Sequence, residues 1–150
     1  MKKRGLFITF EGIDGCGKST QVKKIAQFLG EKIIPILVTR EPGGTPIAEK
    51  IRDLILLPEH DNMTNRCELL LYLSSRAQHV QEKILPALES GVTVLCDRFQ
   101  EATFAYQGFG RGFLLSKVNL LNQFSTNGLV PNRTYIFDIG VEWHFHVCKR

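Results

Sequence analysis

The chain has 150 residues, of which 43% are hydrophobic and 23% are charged, and its formal net charge is +4 at pH 7. These values are typical of one soluble globular domain that is large enough to bury a core. The only basic run covers residues 2–4, and no apolar run is long enough to cross a membrane, so we predict neither a nucleic-acid partner nor a membrane partner.

The first predicted unit is a strand, a glycine-rich turn and a helix. An apolar run predicts a strand at about residues 5–10, and helical spacing of apolar residues predicts a helix at about 19–29. Between them, residues 12–19 read G-I-D-G-C-G-K-S, the G-x-x-x-x-G-K-[ST] pattern of a phosphate-binding loop. The predicted nucleotide-binding residues are Gly12, Ile13, Asp14, Gly15, Cys16, Gly17, Lys18, Ser19 and Thr20.

Such a loop has one physical task, which is to hold phosphate. Its glycines let backbone N–H groups turn inward, where they form an anion cradle at the positive end of a helix. Lys18 would place a charge on the β- and γ-phosphates, and the Ser19 hydroxyl is a candidate ligand for Mg²⁺. The loop therefore predicts a polyphosphate ligand.

The rest of the chain alternates between short apolar strands and helices. Strands are predicted at about residues 36–39, 92–96 and 135–137, and helices at about 66–83, 84–89 and 114–124, with one more helix beginning at Pro46. This alternation predicts an α/β fold in which helices cover both faces of a parallel sheet. With the phosphate loop, it predicts a three-layer α/β/α domain of the P-loop NTPase type.

Polar residues follow several of the predicted strands, at the sheet edge where ligands of such folds bind. Arg40 and Glu41 precede a Pro-Gly-Gly turn, Asp97 and Arg98 follow an apolar strand, and Asp138 ends the last strand. A carboxylate in the position of Asp97 can hold Mg²⁺, and the guanidinium of Arg98 suits a phosphate. The alternatives are an ordinary turn and a surface ion pair.

Tyr72 and Arg76 lie four residues apart on the predicted long helix and therefore share a face. An aromatic ring one turn from a guanidinium could stack on a base and donate to its carbonyl. From spacing alone, a core tyrosine and a solvated arginine are the stronger interpretation. The glycine-rich segment 105–112 is interpreted either as a flexible surface loop or as a loop that closes on a ligand.

The cysteines and histidines predict no further site. The four cysteines show no C-x-x-C spacing and no signal-peptide pattern opens the chain, so we expect free thiols in a reducing compartment and a cytoplasmic protein. The isolated His60 and His79 are interpreted as surface residues. The spacing of His144, His146 and Cys148 is too weak to predict a metal site.

Taken together, these segments resemble the thymidylate kinase family. The matching motifs are F-E-G-I-D-G at residues 10–15, T-R-E-P-G-G-T at 39–45, L-Y-L-S-S-R-A-Q at 71–78, D-R-F at 97–99 and A-Y-Q-G at 105–108. They occur in family order up to about Asp138, whereas other nucleoside monophosphate kinases share only the phosphate loop. A regulatory GTPase is disfavoured because the chain has no N-K-x-D-type guanine motif.

The resemblance implies a homodimeric enzyme that transfers a phosphoryl group from ATP to dTMP, with Mg²⁺, to give ADP and dTDP for dTTP biosynthesis. Lys18, Asp14 and Arg98 would then be catalytic, and Ser19 and Asp97 would serve the metal. Asp14 would face the sugar hydroxyl of dTMP or orient a cationic group near the transferred phosphoryl. The implied substrate residues are Arg40, Tyr72, Arg76, Arg98, Thr103, Tyr106 and Gln107.

The resemblance also implies a role for individual substrate residues. Arg98 would hold the acceptor phosphate, Tyr72 would stack on thymine and Arg76 would read the thymine carbonyl. Tyr106 would pack against the deoxyribose, where a 2′-hydroxyl would clash. Thr103 and Gln107 are expected to be neighbours in the same pocket.

Two departures from the family pattern stand out. Ala102 stands where the family usually has serine, which removes one hydroxyl donor. Family members also run well beyond this carboxyl end, so we expect a truncated single domain, residues 1–150, without the arginine-rich lid and the last sheet strand. The alternatives left open are a remnant that binds nucleotide with little turnover, and a kinase of another acceptor such as dUMP.

Overall fold

A computed structural model describes residues 3–139, and within them four strands form one parallel sheet. The strands are β1 (Phe7–Gly12), β2 (Ile36–Arg40), β3 (Thr93–Asp97) and β4 (Arg133–Phe137), in the order β2-β3-β1-β4. Each neighbouring pair is parallel, and the register places Phe10 opposite Asp97 and Arg40 opposite Asp97. The predicted α/β fold with a parallel sheet is therefore confirmed.

The helices connect these strands as the alternating pattern predicts. They are α1 (Lys18–Glu31), α2 (Pro46–Leu56), α3 (Asn65–His79), α4 (Leu85–Glu89), α5 (Gln100–Thr103) and α6 (Leu115–Thr126). Helix α2 begins as its sequence indicates: Pro46 lies at the first position, and the Thr45 hydroxyl accepts a hydrogen bond from the Ala48 N–H. A π-helical segment, Val80–Ile84, joins α3 to α4 without a break. None of the helices described in residues 3–139 is long and apolar enough to span a membrane.

The interpretation of residues 105–112 as a loop is wrong for most of its length. Residues Phe104–Gly110 form a π-helical continuation of α5, and Gln107 and Gly108 are buried within it. A Cβ at position 108 would lie 2.7 Å from Cδ2 of Leu115 on α6, so the Leu115 side chain would have to shift to accommodate one. Gly108 thus allows this segment to pack closely against α6.

Two hydrophobic clusters cover the two faces of the sheet. Phe7, Val94 and Cys96 point to one face, where Val80, Ile84 and Leu88 pack on them. Phe10 and Leu95 point to the other face, where they meet Val22 of α1. Alternate residues of β1 and β3 therefore pack against opposite helical layers, because successive side chains of a strand point to opposite faces of the sheet. This confirms the three-layer arrangement.

Strand β4 lies at the edge of the described sheet. Among residues 3–139 it pairs with β1 alone. Ile136 is 71% exposed, and Tyr135 is exposed on one side while its ring stacks on Phe10, 5.7 Å between ring centroids. Residue 140 and those after it lie outside the described residues, and so do His144, His146 and Cys148.

Substitution of Ile84 tests the position of the core. Ile84 is fully buried, so Ile84→Ala should lower the free energy of unfolding by about 2–5 kcal/mol through lost contacts and the cavity left behind. Chemical denaturation followed by circular dichroism measures this. Ile47→Ala is the matched control, since Ile47 is 52% exposed. An equal loss for both variants would contradict the described core.

Candidate functional site

A cleft of about 640 Å³ lies at the carboxyl edge of the sheet, between the phosphate loop and the ends of β2 and β3. The parallel strands bring their polar carboxyl ends together at this edge. Most of the residues predicted from the sequence line the cleft: Asp14, Gly15, Gly17, Lys18, Ser19, Thr20, Arg40, Tyr72, Asp97, Arg98 and Tyr106.

The phosphate loop has the compact shape that its glycines predict. Gly12 has a φ of 143°, and a Cβ there would lie 2.7 Å from the Phe137 carbonyl oxygen of β4, so only glycine fits. Gly17 caps α1 in the left-handed region, with a φ of 89°. Lys18 Nζ donates to the carbonyl oxygens of Gly12, at 2.9 Å, and Ile13, at 2.7 Å. The buried ammonium therefore already lies over the loop in which a phosphate would be held.

Ser19 and Asp97, separated by 78 residues in sequence, meet directly. The Ser19 Oγ donates to Asp97 Oδ2 at 2.7 Å. Asp97 Oδ1 is buried and makes no hydrogen bond to any described residue. A buried carboxylate oxygen without a partner is costly, and together with a hydroxyl it offers the oxygen donors that Mg²⁺ prefers. The two residues therefore fit the predicted metal site.

Arg98 has a backbone conformation that is rare for a residue with a side chain. Its φ is 69°, in the left-handed region. From there its guanidinium forms an ion pair with Asp14 and lies 5.4 Å from the centroid of the Tyr106 ring. Burial opposes the charge, but Tyr106 and Asp14 outweigh it and raise the pKa of Arg98. A fixed positive charge thus borders the cleft beside the phosphate loop.

Arg76 is buried, contrary to the expectation of a solvated helix arginine. Its side chain is 2% exposed. Its Nε donates to Glu41 Oε2 at 2.7 Å, and Nη2 donates to the Phe99 carbonyl at 2.8 Å. Nη1 donates to Thr103 Oγ1 at 3.0 Å and to Asn122 Oδ1 at 2.6 Å. Most of the guanidinium is therefore committed to the protein, and its contact with a base remains a prediction.

A small cavity lies below Tyr72 and Tyr106 and brings together the other predicted substrate residues. It is lined by Arg76, Ala102, Thr103 and Gln107, among others. Gln107 is buried, and its Nε2 donates to Glu68 Oε1 at 2.6 Å. Arg40 lies at the cleft mouth and forms a 2.9 Å ion pair with Glu49. The structure thus groups the predicted substrate residues at the cleft and in the small cavity beside it.

The interpretation of His79 as a surface residue is wrong. His79 is fully buried, with Nε2 2.7 Å from Thr39 Oγ1 and Nδ1 3.2 Å from Glu41 Oε1. Burial raises the pKa of Glu41, but Arg76 and His79 outweigh it, so the pKa is lowered and the carboxylate stays ionised. A sequence signal existed, since Glu41 follows a strand and His79 lies three residues after Arg76, one turn along the same helix.

Glu11 is a second buried carboxylate that sequence reasoning did not single out. It is 3% exposed, and its Oε1 accepts the Phe99 N–H at 2.6 Å. Desolvation raises the pKa of Glu11 to about 7; Glu101 adds to the rise, whereas the Phe99 N–H, Arg98 and Arg76 oppose it. Its position directly before the phosphate loop was the only available clue.

Comparison with known proteins gives a consistent result. The thymidylate kinase family model matches residues 10–147. A protein named Thymidylate kinase from Geotalea daltonii is 55% identical over 138 residues, which is 92% of this chain and 64% of that protein. One from Exiguobacterium sp. is 51% identical over 138 residues, 92% of this chain and 65% of that protein. The chain thus spans slightly less than two thirds of the length of these relatives.

A solved structure shows the same arrangement. The crystal structure of thymidylate kinase from Ehrlichia chaffeensis superposes with a TM-score of 0.85 at 38% sequence identity. The match covers 96% of this chain and 80% of that chain.

Glu11 gives a prediction about pH and stability. Its pKa rises from 4.5 to about 7 on folding, so between these pH values the native state holds a proton that the unfolded chain releases. The contribution of Glu11 to stability therefore falls as the pH rises through this window. Glu11→Gln cannot ionise and keeps an oxygen acceptor. It should leave Tm nearly unchanged at pH 5 and raise stability at pH 8, by on the order of 3 kcal/mol.

Thermal unfolding of both proteins at pH 5 and pH 8 measures this difference. Glu59→Gln is the control, because Glu59 is exposed and water solvates its side chain in both states. A Glu11→Gln variant that is less stable than the unaltered chain at pH 8 would contradict the account.

Proposed function

The chain belongs to the thymidylate kinase family, and on that premise we propose that it transfers the γ-phosphoryl group of ATP to dTMP, giving ADP and dTDP. The observation that carries the proposal is the convergence of three groups in one cleft. These are the phosphate loop with Lys18, the Ser19–Asp97 pair, and Arg98, whose guanidinium forms an ion pair with Asp14 of the loop. Phosphoryl transfer asks for positioning and for neutralisation of charge rather than for covalent chemistry by the protein.

The donor side of the reaction is assigned to the phosphate loop. The N–H groups of the loop and of the first turn of α1 would hold the β- and γ-phosphates of ATP. Lys18 would exchange its bonds to the Gly12 and Ile13 carbonyls for bonds to these phosphates. Ser19 and Asp97 would hold Mg²⁺, which when bound neutralises charge on the β- and γ-phosphate oxygens. The orphaned Oδ1 of Asp97 supports this assignment.

The acceptor side is assigned to Arg98 and the tyrosines. Arg98 would hold the phosphate of dTMP in line with the γ-phosphate, and Asp14 would keep the guanidinium oriented until the acceptor arrives. Arg40 would add a second positive charge at the cleft mouth. Tyr72 would stack on thymine, and Tyr106 would disfavour a 2′-hydroxyl. The small cavity formed by Arg76, Thr103 and Gln107 would receive the edge of the base.

One observation favours a second candidate, binding of both nucleotides with little turnover. The phosphate loop carries Asp14, Gly15 and Cys16 and no arginine. An arginine that neutralises the transferred phosphoryl can supply several orders of magnitude in rate. Among residues 3–139, the arginines that line the cleft are Arg40, Arg52 and Arg98, and none of them belongs to the phosphate loop.

We propose that the chain assembles as a homodimer through α3 and α6. These helices pack on each other, and both expose apolar residues: Leu70 on α3, and Leu120 and Phe124 on α6, with Phe124 86% exposed. Exposed apolar surface of this kind is typical of a protein interface.

The free thiols of Cys16, Cys67 and Cys96 support the proposal of a reducing, cytoplasmic environment.

The dimer is tested by measuring mass in solution. The chain should sediment at about twice its mass of 17.0 kDa, and Phe124→Glu should shift it to the monomer by placing a charge in the apolar contact. Phe28→Glu on α1 is the matched control, since Phe28 is 58% exposed on another helix. A monomeric unaltered chain, or a dimer unaffected by Phe124→Glu, would contradict this interface.

A coupled assay of ADP release tests the reaction. Turnover should require ATP, Mg²⁺ and dTMP together, and Lys18→Met should lower kcat at least ~100-fold by removing a charge from the transferred phosphoryl. Lys24→Met is the matched control on the exposed face of α1. The same assay with dUMP, dCMP and UMP reports the acceptor preference.

Calorimetry separates the two candidates. Binding of ATP and dTMP without ADP release would support the nucleotide-binding alternative. Failure of a folded chain to bind either nucleotide would refute both candidates, and a stronger preference for another monophosphate would refute dTMP as the acceptor.

A further inference from the structure

The peptide after Arg98 is held from two sides. The Phe99 N–H donates to Glu11 Oε1 at 2.6 Å, and the Phe99 carbonyl accepts from Arg76 Nη2 at 2.8 Å. The Phe99 ring is fully buried, packs edge-on against Phe7, and lies 5.3 Å from the Arg76 guanidinium carbon. This residue is therefore clamped between a carboxylate of β1 and a guanidinium of α3.

Arg98 needs such a restraint because its backbone is strained. A φ of 69° is unfavourable for a residue that has a Cβ, and it persists only where neighbouring contacts enforce it. The Arg98 N–H donates to the Phe10 carbonyl at 2.9 Å, which fixes the peptide before the residue. Glu11 fixes the peptide after it. Both restraints come from the end of β1, next to the phosphate loop.

Burying the Glu11 carboxylate to make one hydrogen bond costs free energy, because the charged group loses its solvation by water. It is 3% exposed and close to a second carboxylate, Glu101, whose buried Oε2 has no partner among the described residues. A neutral acceptor would satisfy the Phe99 N–H without the cost of desolvating a charge. Glu11 nevertheless places its Oε1 2.6 Å from the Phe99 N–H, directly after the strained Arg98.

We infer that Glu11 is a positioning residue: by anchoring the Phe99 N–H it holds Arg98 in the left-handed conformation that directs its guanidinium into the cleft. Glu11 touches neither nucleotide in this account and acts through Arg98. The consequence for catalysis rests on the proposed function, because it takes the acceptor phosphate as the partner of Arg98. The restraint on the backbone itself does not depend on that function.

The kinetic test compares two substitutions of similar size. Glu11→Met keeps the volume but removes the acceptor, and we expect kcat/KM for dTMP to fall ~10- to 100-fold, as misplacement of a positioning group does, with the KM for ATP changed less than about twofold. Glu11→Gln restores an oxygen acceptor and should recover most of the loss. Glu101→Gln is the control, since it removes a neighbouring charge without touching the Phe99 N–H.

A structural measurement makes the inference independent of turnover. Hydrogen exchange of the Phe99 amide, followed by NMR in the full chain, should be slow in the unaltered protein and in Glu11→Gln, and at least ~10-fold faster in Glu11→Met because the bond is lost. If Glu11→Met fails to fold, Glu11→Asn serves in its place, because its amide is too short to reach. The amides of the core strand β3 report whether the fold as a whole has loosened.

The outcomes separate the inference from the proposed function. The inference is supported if Glu11→Met lowers kcat/KM for dTMP selectively and speeds hydrogen exchange of the Phe99 amide, and if Glu11→Gln recovers both. The inference is overturned if Glu11→Met changes neither the exchange of the Phe99 amide nor the kinetic constants. It is also overturned if Glu11→Met weakens the kinetics for ATP and dTMP equally, or if Glu101→Gln has the same effect as Glu11→Met. If the unaltered chain binds no dTMP, the proposed function fails, and the amide exchange alone still decides whether Glu11 restrains Arg98.

Discussion

The parallel pairing of β1 with β3 is the constraint on which the cleft depends. Its register sets Phe10 opposite Asp97, so the phosphate loop that follows β1 and the Asp97–Arg98 pair that ends β3 leave the sheet side by side. Residues about 80 positions apart in the chain are thereby brought within hydrogen-bonding distance, as Ser19 and Asp97 show at 2.7 Å. A shift of the β1–β3 register by one residue would turn the side chain of Asp97 to the other face of the sheet. The chemistry of the cleft thus depends on backbone pairing and on the buried side chains that fix the register.

The features that the sequence predicts well are those set by short stretches of chain. The phosphate loop, the strand–helix alternation and the helix beginning at Pro46 each follow from neighbouring residues. The polar ends of β2 and β3 were grouped correctly with the phosphate loop, because parallel strands share one carboxyl edge. Contacts among distant segments were not predictable in this way. Arg76 is buried only because Glu41, Phe99, Thr103 and Asn122, from four other segments, meet its guanidinium.

Local composition was misleading where packing overrides it. Glycines in residues 105–112 suggested a loop, yet most of this segment is helical and Gly108 lets it approach Leu115 closely. A lone histidine on a helix suggested the surface, yet His79 bridges Thr39 and Glu41 in the interior. Glu11 and Glu41 illustrate two kinds of buried carboxylate: Glu41 is compensated by Arg76 and His79, whereas Glu11 is left with a raised pKa. The free-energy costs of burying these two carboxylates differ because their partners differ. Those partners come from distant segments, so no local sequence pattern reveals them.

The close approach of Gly12 to β4 links the outer strand of the described sheet to the edge that carries the phosphate loop. With the Phe137 carbonyl oxygen only 2.7 Å from where a Cβ would stand, the main chain of β4 lies directly against the first residue of the phosphate loop. Because no side chain stands between them, we expect a sideways displacement of this strand to act directly on the backbone of the loop. The seating of the outer strand of the described sheet is therefore expected to influence how well the loop holds a phosphate.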